Sequence, residues 1–139
     1  MTAPAGYSGT PLPRKLGVKP GSRVLLVDRP DRFDLGELPS DVTLHTRPGR
    51  GRYDVVLAFT PDLAALHRRF RPLADRLTPA GGLWIAWPKR SSGVRTDLTD
   101  NVVREFGLAA GLVDVKVAAI DATWGGLKFV VRLKDRPSG

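Results

Sequence analysis

The segment Arg23-Val24-Leu25-Leu26-Val27-Asp28 constrains this chain more than any other: an unbroken apolar run closed by an acid, with no polar alternation. A strand with one face in water alternates apolar and polar residues. An unbroken run is what a strand covered on both faces needs, which is the condition inside a parallel sheet. Tyr53-Asp54-Val55-Val56-Leu57-Ala58-Phe59 and Leu83-Trp84-Ile85-Ala86-Trp87 repeat the pattern, and the segments between them read as helices or turns. Alternation of such strands with helices predicts an α/β fold whose ligands sit at the carboxyl ends of the strands.

The remaining elements follow from local signals. Residues 1–22 hold Pro4, Pro11, Pro13 and Pro20 together with Gly6, Gly9, Gly17 and Gly21, and are expected to run as an irregular arm with at most a helical turn near Pro13–Leu16. Residues 29–41 leave room for only a short helix, and Val42–Arg47 alternates like a strand. Thr60-Pro61-Asp62 has a capping hydroxyl, proline at the first helical position and an acid in the first turn. Leu63, Leu66, Phe70, Leu73, Ala74 and Leu77 then recur at helical spacing, with Pro72 expected to kink or divide the helix. Thr78–Gly82 is expected to stop it.

A second helix is expected from Thr96-Asp97 or Thr99-Asp100 to Gly111, turning Val102, Val103, Phe106 and Ala110 inward. Val113–Ile120 and Leu127–Leu133 close the pattern as an antiparallel hairpin across Asp121–Gly126. The expected fold is α/β: an open, mostly parallel Rossmann-like sheet of about six strands, with an antiparallel C-terminal hairpin and helices on both faces. Residues 23–133 form one domain, between the arm and a frayed tail at 134–139.

Composition removes several function classes. With 139 residues there is room for one such sheet and its covering helices, and 26% charged residues is ordinary for a globular domain. No apolar run approaches the roughly 20 residues that span a bilayer, and the start lacks the pattern of a secretory signal, so a cytoplasmic address is expected. The chain has no cysteine and only His45 and His67, which leaves no thiol nucleophile, disulfide framework or imidazole-rich metal cluster. A net charge of +8 raises nucleic acid as a partner. The cations fall in three segments, around Arg47–Arg52, Arg68–Arg76 and Lys89–Arg95, and no helix-turn-helix, RNA-recognition or zinc signature accompanies them.

The order from Lys19-Pro20-Gly21 through Leu77-Thr78-Pro79-Ala80-Gly81-Gly82 to the closing hairpin resembles an abbreviated class I methyltransferase fold over residues 19–133. That resemblance implies a methyl-donor site with glycines directly after the first strand and an acid at the end of the second. Here Val27 is followed by Asp28–Asp34 with no glycine before Gly36, and Thr46-Arg47 stands where the acid would be. S-adenosylmethionine is therefore not expected, no other cofactor is implied, and no catalytic residue can be assigned. Ala5–Leu12, Trp87–Gly93 with Thr96–Thr99, and Asp121–Leu127 are together similar to a small actinobacterial domain family, a resemblance that brings no chemistry with it.

The candidate site gathers what that fold would place at the strand ends: Asp28, Thr60, Lys89, Arg90, Ser91, Ser92 and Trp124. Lys89–Gly93 offers two cations, two hydroxyls and a flexible backbone before a helix start, a combination suited to phosphate or carboxylate. The structural alternatives are a solvated loop whose serines satisfy local backbone, Asp28 closing its own turn, and Trp124 folding back over the core. Neither a Walker-type loop nor a Gly-x-Ser-x-Gly elbow occurs. The leading expectation is a non-catalytic domain binding a small anionic ligand or a protein partner at this edge. Nucleic-acid association and a divergent enzyme using a nucleotide-like cofactor are the alternatives, and a dimer is compatible with the pattern.

Overall fold

A computed structural model of the chain describes residues 10–137. The first nine positions of the expected arm and the last two of the expected tail lie outside them. The elements run α1 (Leu12–Leu16), β1 (Arg23–Val27), β2 (Thr43–His45), β3 (Tyr53–Phe59), α2 (Leu63–Ala74), β4 (Leu77–Pro88), α3 (Asp100–Ala109), β5 (Leu112–Ala119) and β6 (Trp124–Val131). They build one sheet in the order β2-β1-β3-β4-β6-β5. The first four strands of that order are parallel, and β6 runs antiparallel to both β4 and β5. This is the Rossmann-like α/β arrangement with a closing hairpin that the apolar runs predict.

The two faces are covered unequally. On one, α2 and α3 bury Leu66, Phe70, Leu73 and Val103 against Leu25, Val56, Leu83, Leu127 and Phe129. On the other, no long helix is present among the described residues. There Leu16 and Val18, from α1 and the residue pair that follows it, pack with Phe33 and Leu35 over Val24, Leu26, Leu57 and Trp84. Residues 29–41 form no helix, so the arm takes the place of the missing crossover. It is tied down by the Trp84 indole, whose Nε1 donates to the Leu16 carbonyl at 3.1 Å in the buried interior. Trp84 and Trp87 thus serve opposite faces, as strand alternation requires.

Several local expectations are corrected. Thr60 does not cap α2; it is fully buried at the end of β3, and its Oγ1 donates to the Ala86 carbonyl at 3.0 Å. Asp62 is the cap, with extended backbone and Oδ1 accepting from Ala65 N at 2.8 Å. Asp97, expected near the start of the second helix, instead accepts from Leu63 N at 2.8 Å, so two acids satisfy the first turn of α2. Pro72 lies inside α2 without dividing it. Pro72 and Arg68 are both exposed, so the carbonyl left without its amide partner faces water. Residues Thr78–Gly82 are extended and belong to β4, β2 is shorter than Val42–Arg47, and β6 already begins at Trp124.

At the amino-terminal edge of the sheet, the basic turn before β3 is held by buried Tyr53. Its hydroxyl accepts from Gly49 N at 2.8 Å and lies 2.5 Å from His45 Nδ1, while the Arg23 guanidinium stands 4.9 Å from its ring centroid. Tyr53→Phe would leave the Gly49 amide and the imidazole without this partner. The expected cost is about 1–3 kcal/mol in urea denaturation, with faster exchange of the Gly49 amide. Unchanged stability would mean that water replaces the hydroxyl freely.

Candidate functional site

In a sheet of this order the strand order reverses between β1 and β3, and a crevice normally opens there at the carboxyl ends of the strands. Here that position is filled. Asp28, at a left-handed φ of 58°, accepts from Arg69 of α2 at 3.0 and 3.2 Å. On the other side Phe33 packs edge-on against Phe59 with centroids 4.9 Å apart, and Phe59 packs edge-on against Trp124 at 5.1 Å. An ion pair therefore closes one side of the crevice and a row of three rings the other.

An open cleft lies farther across the sheet, beyond the ends of β4, β6 and β5. It has a volume of about 750 Å³ and is floored by Trp87, Pro88, Gly125 and Gly126 and walled by Lys89, Arg90, Val94, Arg95, Thr96, Leu98 and Val117. The Lys89 amide donates to the Thr123 carbonyl at 2.8 Å, which pins the loop to the hairpin. The Lys89 stem crosses Gly125, where a Cβ would come within 3.2 Å of its Cγ. Arg90–Ser92 is a single 3-10 turn ended by Gly93 at φ 76°. Thr96 Oγ1 donates to the Pro61 carbonyl at 2.7 Å and accepts from Leu98 N at 3.1 Å, which fixes the far wall.

The lining of the cleft combines cations with apolar side chains. Among the described residues, none of Lys89, Arg90 and Arg95 forms an ion pair. Asp100 also stands on the rim, beside the start of α3, with Oδ1 accepting from Asn101 N at 2.8 Å. Of the apolar lining, Val94 is 50% and Val117 63% exposed.

Of the residues singled out from sequence, the fold places Lys89 and Arg90 in this cleft and leaves the others elsewhere. Asp28 is paired with Arg69, Thr60 is buried in the strand end, and Trp124 is packed on Phe59. Ser91 is exposed outside the lining. Ser92 Oγ donates to the Lys89 carbonyl at 2.6 Å and accepts from Val94 N at 3.2 Å, holding the loop rather than facing the cleft. Sequence reasoning missed Val94, Thr96 and Val117 as lining residues. The only signal for Val117 is its place in a strand that reads as core. Among the described residues no group of His, Asp and Glu could hold a metal ion, and no helix is long and apolar enough to cross a membrane.

Comparison with solved structures supports the architecture. The chain is similar to a "putative methyltransferase" from Thermoplasma acidophilum, with a TM-score of 0.52 and 13% identity over 84% of this chain and 71% of that one. No family model and no curated protein matches the sequence. At that identity the likeness is one of fold: a methyltransferase-like, Rossmann-like α/β sheet.

Proposed function

We propose that this methyltransferase-like domain is a non-catalytic binding module that takes a small anionic ligand with an apolar portion in the cleft beside Lys89. The observation that carries this reading is the gathering of Lys89, Arg90 and Arg95, none of them in an ion pair among the described residues, on a cleft that Val94, Leu98 and Val117 also line. Cations gathered in a concave site hold an anion by charge-assisted hydrogen bonds, and aliphatic lining removes the ligand's apolar part from water. Asp100 on the rim favours ligands whose negative charge is confined to one end.

S-adenosylmethionine does not fit this reading. Its place in such folds is the crevice between β1 and β3, and here Phe33 and the Asp28–Arg69 pair occupy it, with no glycine between Val27 and Gly36 to let a ligand approach the backbone. Nucleic-acid association loses support for a different reason. Arg52 donates to the Asp75 and Leu77 carbonyls, Arg76 to those of Gly49 and Gly51, Arg71 to that of Ala110, and Arg69 to Asp28. These side chains are thereby tied to the chain itself, and the charges of Arg69 and Arg71 are paired with Asp28 and Asp75.

A thermal-shift screen of aliphatic and aromatic carboxylates and phosphomonoesters at fixed ionic strength tests the proposal. At least one should stabilise the protein, and Lys89→Ala or Arg90→Ala should weaken its binding about tenfold, the loss of one charge-assisted contact. If no anion acts beyond a chloride control, or both variants bind as the parent does, the reading fails. Capture of a protein instead, lost in the same variants, would make the cleft a docking surface.

A further inference from the structure

On the sheet face away from α2 and α3, cover ends at α1, and the strands beyond it present lysines. Lys128 of β6 is the register partner of Trp84 on one side and of Lys116 on the other, so both lysines project to the face that Trp84 serves. The Lys128 stem runs across β4 over Gly82, in space that a side chain at position 82 would need. Its ammonium reaches α1, 3.5 Å from where a Cβ on Gly17 would stand. Lys116 Nζ donates to the Lys15 carbonyl at 3.1 Å, at the end of the same helix. Lys19 follows within the same short connection. Half-burial, with the fields of Lys116 and then Lys19, holds the Lys128 ammonium below its usual pKa of 10.5. Among the described residues, none of the three lysines is in an ion pair.

Like charges directly opposite on paired strands are destabilising, and a cation drawn over the sheet loses hydration as well. Complementing the carbonyl end of α1 accounts for Lys116 but not for Lys128, which has no hydrogen-bond acceptor among the described residues. An oxyanion beside the Lys116 and Lys128 ammonium groups would offset both costs at once. We propose that Lys116 and Lys128, with Lys19 two residues beyond Gly17 at the same helix end, form a site for a small multivalent phosphate-type anion, on the face of the sheet opposite the α2 and α3 helices and separate from the Lys89 cleft. A compact ligand is favoured over a nucleic-acid strand because, among the described residues, the exposed large apolar side chains are leucines and valines, which offer no ring for a base to stack on.

The test is calorimetric titration of the full chain with pyrophosphate at fixed ionic strength, beside a single-stranded oligonucleotide. Pyrophosphate should bind the parent, and Lys128→Met and Lys116→Met should each weaken it about tenfold or more. Arg47→Ala, at an exposed cation after β2, should leave it within about twofold of the parent. A second reading comes from proton linkage in the free protein. Between the lowered folded pKa and 10.5 the unfolded chain holds more protons at this site, so stability rises with pH there, and Lys128→Met should remove that rise. Bound pyrophosphate should raise the Lys128 pKa, followed by its Nζ resonance. Three results would each overturn the proposal: no binding beyond a chloride control, equal binding by parent and Lys128→Met, or an oligonucleotide that binds more tightly than pyrophosphate through the same lysines.

Discussion

Trp84→Ala is expected to destabilise the fold by about 3–5 kcal/mol, a large part of the 5–15 kcal/mol available to a domain of ordinary stability. The indole is fully buried in the middle of β4, so truncation leaves a cavity where the sheet meets α1 and the loop carrying Phe33. It also removes the donor to the Leu16 carbonyl, which then stays buried without its partner. Trp84→Phe separates the two effects. It keeps most of the volume and loses the hydrogen bond, so it should cost about 1–2 kcal/mol. Its signature should be local, with faster exchange of the Gly17 and Val18 amides that donate to Arg14 and Pro13. Urea denaturation followed by circular dichroism reads the first effect and amide exchange the second. If α1 stays fully protected in Trp84→Phe, the indole bond is not what fastens the arm.

The second large effect is at Gly107, in the last turn of α3. Helix propensity alone predicts that alanine there would stabilise the protein by about 1 kcal/mol. The packing predicts the reverse, because a Cβ on residue 107 would stand inside the ring of Phe129, a fully buried residue that also touches Phe70 edge-on at 5.3 Å. The ring cannot retreat without displacing that neighbour, so α3 must lift from β6. Gly107→Ala should therefore lose about 1–2 kcal/mol net and Gly107→Val about 3 kcal/mol, the usual range for overfilling a packed core. Lifting α3 should also strain the Arg104–Asp114 pair, 3.0 Å apart, that joins it to β5. A Gly107→Ala variant more stable than the parent would show that α3 can shift at no cost.

The parallel strands are legible in the sequence because Val24–Val27, Val55–Phe59 and Leu83–Trp87 are apolar on both faces, and few other environments accept such runs. The start of α2 is less legible because Thr60 and Asp62 are both competent caps. Only the tertiary structure decides between them, by burying the Thr60 hydroxyl against Ala86. The candidate site divides in the same way. Lys89 and Arg90 are adjacent in sequence and fixed by the end of β4, so their placement follows from the strand. The convergence of Asp28, Thr60 and Trp124 depended on the path of residues 28–42, and that loop folds inward around Phe33 instead of leaving the crevice open. The lysine cluster is not legible at all, since Lys116 and Lys128 meet each other through strand register and meet the end of α1 only through the reach of their side chains.

The register between β5 and β6 slips between Asp114 and Lys116, placing Val115 in a bulge on the outermost strand. Val115 and Val117 are both more than half exposed there, a strip that on a straight edge would invite another chain to add its own strand. With the ladder interrupted at Val115, an incoming strand finds matching donors and acceptors for only a few residues before its register fails. Lys116 adds a charge at the same spot. The irregularity thus guards the chain against edge-to-edge polymerisation, and straightening it by deleting Val115 would turn a tolerated exposed strand into a seed for aggregation.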